Sequence, residues 1–367
     1  MPVDESLAES RRVLEICNAC GYCNGFCDVF ESAERRPTLN EADLVHLANL
    51  CHACRNCFHG CQYAPPHPFL VNVPRSLART RYRSYLAHAW PAALSGLLAR
   101  QALAAPLIAL GAIALLVGLV LVLVPPEVLF ASQAGAGAFY RILSWEAMVL
   151  LGGLPLGWSV LAIGLSLRQY WRLTRTEGAP LSTRAIGAAL RDILVLRNLR
   201  GGGPGCNDLD DRFSHARRRL HHAMLHGFLL SFAATVTATL YHHLLGWEAP
   251  YPLLSAPVLL GTLGGILMSL GAVGLAWMKW RADPEPSAPE TRGLDLAFLG
   301  LLFLVAVTGL ALLVWRETAA MGLLLAIHLG SVLAFFLLLP YSKFVHAGYR
   351  AIALLIEAIE HAAVSRQ

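Results

Sequence analysis

Eight of the nine cysteines lie before position 62 and share one spacing, in which two, two and then three residues separate successive cysteines. The spacing occurs twice, first at Cys17, Cys20, Cys23 and Cys27 and again at Cys51, Cys54, Cys57 and Cys61. In bacterial ferredoxins the three closely spaced thiolates bind one cubane cluster and the fourth binds the neighbouring cluster. The sequence therefore predicts two [4Fe–4S] clusters with crossed ligation. The expected ligand sets are Cys17, Cys20, Cys23 and Cys61 for one cluster, and Cys51, Cys54, Cys57 and Cys27 for the other.

The alternative interpretation of these cysteines is a pair of zinc sites. Zinc takes four ligands, usually as two separated pairs, and such pairs do not account for the doubled pattern. The segment before Cys17 is polar and acidic with no apolar stretch behind it, so we expect roughly the first 100 residues to stay in the cytoplasm, where disulfides are disfavoured. Cys206 stands alone in a glycine-rich loop, and we expect a buried or loop thiol there rather than a ligand.

Histidines on two apolar segments form the second set of candidate ligands. They are a first pair, His221 and His222, a second pair, His242 and His243, and two single residues, His328 and His346. An ionisable residue within a membrane span usually has a function, and b-type haem takes axial imidazoles from facing helices. The sequence therefore predicts haem b, and two haems if each helix supplies two histidines.

The spacing of these histidines predicts how they pair. In one continuous helix, the eighteen residues from His328 to His346 make five whole turns, which puts both imidazoles on one face about 27 Å apart. On the other helix the second histidine pair follows the first by 21 residues, leaving about 60° between their faces. Because the two helices run antiparallel, we expect His346 to meet the first pair and His328 the second. The alternative is that histidines at helix ends cap the helix or snorkel to the membrane surface.

The remaining sequence must position these ligands in a membrane. Of the residues 56% are hydrophobic and 14% charged, against about 25% charged in a typical soluble protein. Six apolar runs come close to the ~20 residues that cross a bilayer. The expected spans are Leu103–Val124, Ser144–Leu167, Met224–Leu245, Pro257–Met278, Leu294–Trp315 and Ala320–Leu339. An alternative start for the third span is near Leu220.

The loop charges predict the orientation and the domain organisation. Arginines concentrate before the first span and in the loop 168–219, so the positive-inside rule puts both termini and that loop in the cytoplasm. The net charge of +5 comes mainly from basic residues in the loops beside the apolar segments, so we interpret it as a signal of membrane orientation and expect no nucleic-acid partner. Helix-compatible spacing before each cysteine motif favours an all-α fold. We expect a two-cluster domain at 1–85, a six-span haem-binding domain at 86–340, and an amphipathic helix at 341–367 on the membrane or on the first domain.

Four further motifs carry a family resemblance. With the doubled cysteine motif, the segments GGGPGCN (201–207), RRRLHH (217–222), GWEAPY (246–251) and PYSKFVH (340–346) make the chain resemble the tricarballylate/citrate utilisation protein B family, whose unit also forms the C-terminal half of a related fusion protein of cobalamin synthesis. More distantly, His328 with PYSKFVH resembles the last helix of the nitrate reductase gamma subunit, in which two histidines bind two haems. This chain lacks the close histidine pair on that subunit's other haem helix.

The family resemblance implies an electron-transfer subunit of an oxidoreductase system in the bacterial inner membrane. It implies re-oxidation of the reduced flavin of a partner FAD-dependent dehydrogenase, with delivery of the electrons through iron–sulfur clusters and haem b to membrane quinone. One alternative is a module similar to nitrate or heterodisulfide reductase, which moves electrons from quinol to a cytoplasmic acceptor. A second alternative is a redox sensor. The chain itself shows no nucleotide fingerprint and no catalytic triad.

Overall fold

The computed structural model describes residues 3–175 and 181–364, and within these ranges the chain is helical without any strand. This confirms the all-α class that the sequence predicts. The one β-bridge in the described ranges joins Cys206 to Ser214.

Five helices build the N-terminal domain. They are α1 (Val3–Cys20), α2 (Asp28–Glu34), α3 (Glu41–Leu50), α4 (Asn56–His59) and α5 (Val73–His88). Helix α3 starts with a capping box, in which Asn40 and Asp43 exchange side-chain-to-backbone hydrogen bonds. Helices α1 and α3 come directly before the two cysteine motifs, as predicted, and pack on α5 around a core that includes the fully buried Leu14, Leu47 and Leu77. The boundary expected at residue 85 falls within α5.

Six long apolar helices form the membrane half and confirm the number of spans. Two short helices, α6 (Ser95–Ala99) and α8 (Pro126–Leu129), flank the first span, α7 (Gln101–Leu123). The next helices are α9 (Trp145–Thr174), α10 (Thr183–Leu194), α11 (Ala216–Leu245), α12 (Ala256–Arg281), α13 (Arg292–Trp315), α14 (Met321–Leu338) and α15 (Val345–Val364). All of them except α10 and α15 are long and apolar enough to cross a membrane. The third span, α11, begins at Ala216, earlier than the main expectation.

His328 and His346 do not share one helix, which corrects the geometry expected for them. Helix α14 ends at Leu338, a short 3₁₀ turn covers Leu339–Tyr341, and Ser342 is extended before α15 begins at Val345. Pro340 lacks the N–H that a continuing helix needs, and its ring clashes with the preceding turn. The five-turn relation and the 27 Å separation therefore do not apply.

The connections that carry most of the arginines lie at the same end of the bundle as the N-terminal domain. Helix α15 packs on α3 and on α10 of the arginine-rich loop. The linker between α12 and α13 also contacts this domain, because Asn72 donates to the Glu285 carbonyl at 2.9 Å and Arg75 donates to the Ser287 carbonyl at 3.0 Å. Of the two positions considered for the C-terminal helix, the structure has the one on the N-terminal domain.

Candidate metal and cofactor sites

The first group of thiols surrounds a small cavity at the end of α1. The cavity measures about 20 Å³. Its lining includes Cys17, Cys20, Cys23 and Cys61, the set expected for one cluster. Cys20 is exposed, so this group lies at the surface of the domain.

The second group of thiols surrounds another cavity of about 20 Å³, deeper in the protein. Its lining includes Cys27, Cys51, Cys54 and Cys57, the set expected for the other cluster. Cys51 is buried at the end of α3. The structure thus brings the eight cysteines together in the two crossed groups that their spacing predicts, although their use as ligands stays a prediction.

Burial favours the protonated form of two thiols in each group. Burial, followed by the neighbouring thiols, raises the pKa of Cys17 to about 12 and that of Cys23 to about 11. Burial also raises the pKa of Cys27 and Cys57 well above the ordinary value. A metal must displace these protons, because the thiolate is the ligand, so cluster binding would relieve the crowding of four thiols in each group.

The two groups enclose a space and do not converge on one point. In the described part of the chain, no three histidine, cysteine, aspartate or glutamate side chains are arranged to hold one metal ion. A mononuclear zinc site needs four ligands at about 2–2.3 Å from the metal.

Unusual backbone conformations shape both cysteine motifs. Gly21 has a φ of +68°, while Ala53 and Arg55 have φ values of +50° and +69° in the left-handed region. The turn at Ala53 directs its N–H toward the Cys51 sulfur at 3.4 Å, and the Tyr63 N–H lies 3.3 Å from the Cys61 sulfur. The backbone therefore donates hydrogen bonds to two of the candidate ligand sulfurs, and such bonds are one way in which proteins set cluster potentials.

The glycine-rich loop 201–207 covers the second cysteine motif through Asn56. The Asn56 amide donates to the Gly201 and Gly205 carbonyls at 2.7 and 3.0 Å, and its oxygen accepts from the Asn207 N–H at 3.2 Å. Cys206 is fully buried in this loop. Its thiol lies beside Cys54, whose hydrogen bond lowers the pKa of Cys206. Cys206 is thus a buried loop thiol, as expected, but one that neighbours a candidate ligand.

Two partly buried arginines connect the second thiol group to the candidate haem histidines. Arg217 donates to the Ala53 and His52 carbonyls at 2.8 and 2.7 Å, and Arg350 donates to the Cys51 carbonyl at 3.1 Å. Arg217 precedes His221 by one helical turn, and Arg350 follows His346 by one turn. Nothing in the sequence signalled these contacts, because arginines at the start of a span are ordinary membrane anchors.

His221 and His346 face each other at the end of the bundle that lies beside the N-terminal domain. Their ring centres lie 6.2 Å apart, with the ring planes at 81°. Two imidazole nitrogens that each lie about 2 Å from one iron put the ring centres roughly 6 Å apart. His346 is bonded through Nδ1 to the Lys343 carbonyl, which orients its other nitrogen as metal-binding histidines require. Burial, and then the charge of Arg350, lowers the pKa of His346, which keeps the imidazole in the neutral form that binds metal.

The other histidines of α11 point elsewhere. His222 packs on His226, with ring centres 5.6 Å apart, and does not share the His221 position. At the far end of the helix, His242 stacks on Trp145 with ring centres 4.8 Å apart, and His243 is exposed at the edge of the same indole. The structure therefore brings His346 together with one member of the first pair.

His328 faces a cavity of about 310 Å³ between α11, α12, α13 and α14. Its Nδ1 lies 3.1 Å from the Thr308 hydroxyl, and Gly309 leaves room for the ring, because a Cβ there would be 3.0 Å from it. In the described ranges His328 is the one histidine that lines this cavity, and His242 and His243 are not part of its wall. The expected pairing of His328 with those two residues is not one that the structure brings together.

Comparison with known proteins agrees with the family resemblance. The family described as "Citrate utilization protein B" matches residues 96–367, and "Citrate utilization protein B Fer4-like domain" matches residues 10–87. A relative from Escherichia coli named "Citrate utilization protein B" is 44% identical over 365 residues, which cover 97% of this chain and 93% of the relative. No solved structure matches. The Fer4-like match indicates iron–sulfur clusters and an electron-transfer role.

Proposed function

The chain belongs to the citrate utilization protein B family, and from that premise we propose that it carries electrons from the reduced flavin of a partner FAD-dependent dehydrogenase to quinone in the membrane. The partner would oxidise tricarballylate, citrate or a similar acid. When bound, iron–sulfur clusters and haem b supply one-electron carriers between a flavin and a quinone, each of which exchanges two electrons and two protons. The six candidate spans and the Fer4-like domain support a multi-pass membrane protein with this role.

The observation that carries the proposal is the order of the sites. The first thiol group lies at the surface, where Cys20 is exposed, and the second lies beneath it. Arg217 and Arg350 hold the backbone of the second motif against the helices that carry His221 and His346. A partner could therefore approach one end of a series of sites whose other end lies in the membrane.

The residues present fit one b-type haem at the cytoplasmic end. His221 and His346 would hold it, and the hydrogen bond from His346 to the Lys343 carbonyl would fix the ring. Arg217 and Arg350, whose charges act on these histidines, would suit the propionates of a haem, whereas Lys343 is paired with Asp295 at 2.8 Å. The positive-inside distribution supports a cytoplasmic placement of this end in the bacterial inner membrane.

The test is to purify the full chain in membrane nanodiscs and to measure iron, acid-labile sulfide and haem. We expect about eight cluster irons per chain, from two cubanes, and a b-type spectrum in the pyridine haemochrome assay. Photoreduced FAD should reduce the haem, and decylubiquinone should re-oxidise it. Stoichiometric zinc without sulfide would refute the iron–sulfur part. Clusters without haem would favour the sensor hypothesis.

A variant of the second thiol group tests whether electrons pass through this group on their way to the haem. Cys57→Ala should keep the haem bound, because Cys57 does not touch His221 or His346. The rate of haem reduction by photoreduced FAD should fall at least ten-fold. An unchanged rate would show that electrons reach the haem without the second group.

A further inference from the structure

The proposed cofactor sites do not use the cavity beside His328 in the membrane half. It lies between four spans and measures about 310 Å³, within the range of small-molecule sites. Most of its wall is apolar, with Phe228, Met268, Leu302 and Phe335 among the lining residues. Gly261 and Gly265 of α12 also line it. A Cβ at Gly261 would have room, whereas a Cβ at Gly265 would lie 3.0 Å from the Leu310 side chain. Gly264 and Gly271, by contrast, pack against the backbone of α11.

His328 is a polar group that can both donate to and accept from an occupant of this cavity. The Thr308 hydroxyl lies 3.1 Å from its Nδ1 and 2.8 Å from the Leu304 carbonyl. If the hydroxyl donates to Nδ1, the imidazole carries its proton on Nε2 and can donate. If the hydroxyl donates to Leu304, Nδ1–H donates to the Thr308 oxygen and Nε2 can accept. The rotation of one hydroxyl thus matches the imidazole to an oxygen acceptor or to an O–H donor.

This pair of states suits the two forms of a quinone. A quinone carbonyl accepts a hydrogen bond, and the hydroxyl of the corresponding quinol donates one. The threonine hydroxyls of the α11 and α12 walls are a poorer match, because Thr235 and Thr262 donate to carbonyls one turn earlier in their own helices. A single histidine at the end of an apolar cavity would therefore hold either redox form by one ring oxygen.

The cavity also has the access that a lipid-soluble ring requires. Phe232 and Thr235 line it and are exposed on the outer face of α11, the face turned to the bilayer. On its inner side Phe228 and Phe335 pack on Phe344, with ring centres 5.5 and 6.4 Å away. Phe344 stands two residues before His346, so the cavity is in packing contact with the segment that carries the candidate haem ligand.

We propose that this cavity binds the head group of a membrane quinone, with His328 hydrogen-bonded to one ring oxygen. The inference rests on the proposed function, because it places the electron acceptor. It also gives His328 a role that requires no second imidazole, which the described cavity wall does not offer. The competing occupant is a haem held by His328 and Met268, since a histidine and a methionine can share a haem iron.

The experiment measures quinone-analogue binding and haem content on the same samples. The probe is 2-heptyl-4-hydroxyquinoline N-oxide, whose fluorescence is quenched on binding, titrated into the full chain in nanodiscs. We expect saturable binding to the wild type and at least ten-fold weaker binding to His328→Ala. Gly261→Leu should weaken binding similarly by filling the cavity, since a Cβ at Gly261 meets only the Ala234 methyl at 3.6 Å. Haem per chain should stay unchanged in both variants, and His242→Ala should alter neither quantity.

Each result separates this inference from the proposed function. Loss of haem or a changed haem band in His328→Ala would overturn the quinone site in favour of a haem in the cavity. Unchanged analogue binding in both His328→Ala and Gly261→Leu would overturn it even if the haem remains reducible by photoreduced FAD. If the wild type holds no haem and His328→Ala still loses analogue binding, the proposed electron route fails while the quinone site stands. Gly261→Leu decides the question by itself if His328→Ala does not fold.

Discussion

The cysteine domain and the membrane bundle place their candidate ligands in different ways. In the cysteine domain, three of four thiols in each group come from seven consecutive residues, and the fourth comes from the neighbouring motif. In the bundle, the two facing imidazoles belong to α11 and α15 and are separated by 125 residues. A short spacing fixes a site by local backbone geometry, whereas a pair of distant histidines depends on how whole helices pack.

This difference decides where sequence reasoning succeeds. Side chains two or three residues apart in a tight loop can only point around a common centre, so the doubled motif already contains its own geometry. Periodicity gives the face of a helix but not its partner, and it assumes that the helix continues. The sequence could therefore group the cysteines. For the histidines it predicted that His346 meets the first pair without choosing between His221 and His222, and it matched His328 with a pair that the structure does not bring to it.

The largest effect should come from removing two cysteines at once, either both from one group or one from each group. The double variant Cys27→Ala/Cys51→Ala removes two ligands from one group, whereas Cys17→Ala/Cys27→Ala removes one from each. If ligation is crossed, the first double variant should keep about four irons per chain and the second should keep almost none. Iron and acid-labile sulfide analysis measures this. The opposite ranking would show that each motif binds its own cluster.

The next largest effect should separate the facing histidines, His221 and His346, from the adjacent His222. His221→Ala and His346→Ala should each remove the cytoplasmic haem, because one axial imidazole is lost from the pair whose rings are 6.2 Å apart. His222→Ala is the matched control, since this ring packs on His226 and should leave haem content unchanged. Pyridine haemochrome analysis of the three variants gives the result. Loss of haem in His222→Ala and retention in His221→Ala would reverse the assignment.

The sequence could predict the fold and the number of spans because both depend on composition and period. It placed the end of the sixth span at Leu339, one residue from the end of α14 at Leu338. It could not predict how the chain turns between α14 and α15, and this turn breaks the helical relation expected between His328 and His346. It also missed Asn56, Arg217 and Thr308, whose roles arise from contacts with residues far along the chain. The sequence around a polar residue in a cysteine loop or an apolar helix does not indicate which distant residue it will contact.

A smaller effect should follow from loosening the loop that joins the two regions. Asn56→Ala removes three buried hydrogen bonds to the loop 201–207, which together contribute about 2–4 kcal/mol. We expect Cys206, now fully buried, to react faster with an alkylating reagent. Mass spectrometry of the modified peptide measures the rate. Asn56→Asp should give an intermediate rate, because it keeps the acceptor for the Asn207 N–H, and equal rates for both variants and wild type would contradict the role.

The smallest effect concerns the contact between the two regions made by α15. His46 of α3 is buried 3.8 Å from Glu357, which also pairs with Arg35. Burial raises the pKa of Glu357, but His46 and Arg35 outweigh it and hold the pKa at about 2, against 4.5 ordinarily. Burial lowers the pKa of His46 below 6.5, although Glu357 opposes this. The charged groups around this contact are Asp43, Arg36, Glu360 and His361.

Both shifts make the contact weaker as the pH falls. A carboxylate with a lowered pKa stabilises the folded form fully above about pH 4.5 and loses this contribution as the pH falls toward 2. Above its ordinary pKa, His46 is neutral whether or not α15 is docked on α3, so it does not affect the free energy of docking. Below about pH 6.5, His46 binds a proton more readily when α15 is detached, and this favours the detached state. Between pH 7.5 and 5.5 the loss of free energy of the contact between α15 and α3 therefore comes from His46, and it amounts to at most about 1.4 kcal/mol. Amide exchange in α15, corrected for the intrinsic rate, should lose up to about ten-fold protection over this range. His46→Leu should abolish the change and His361→Gln should preserve it; the reverse pattern would assign the pH dependence to the surface histidine and leave the buried one without effect.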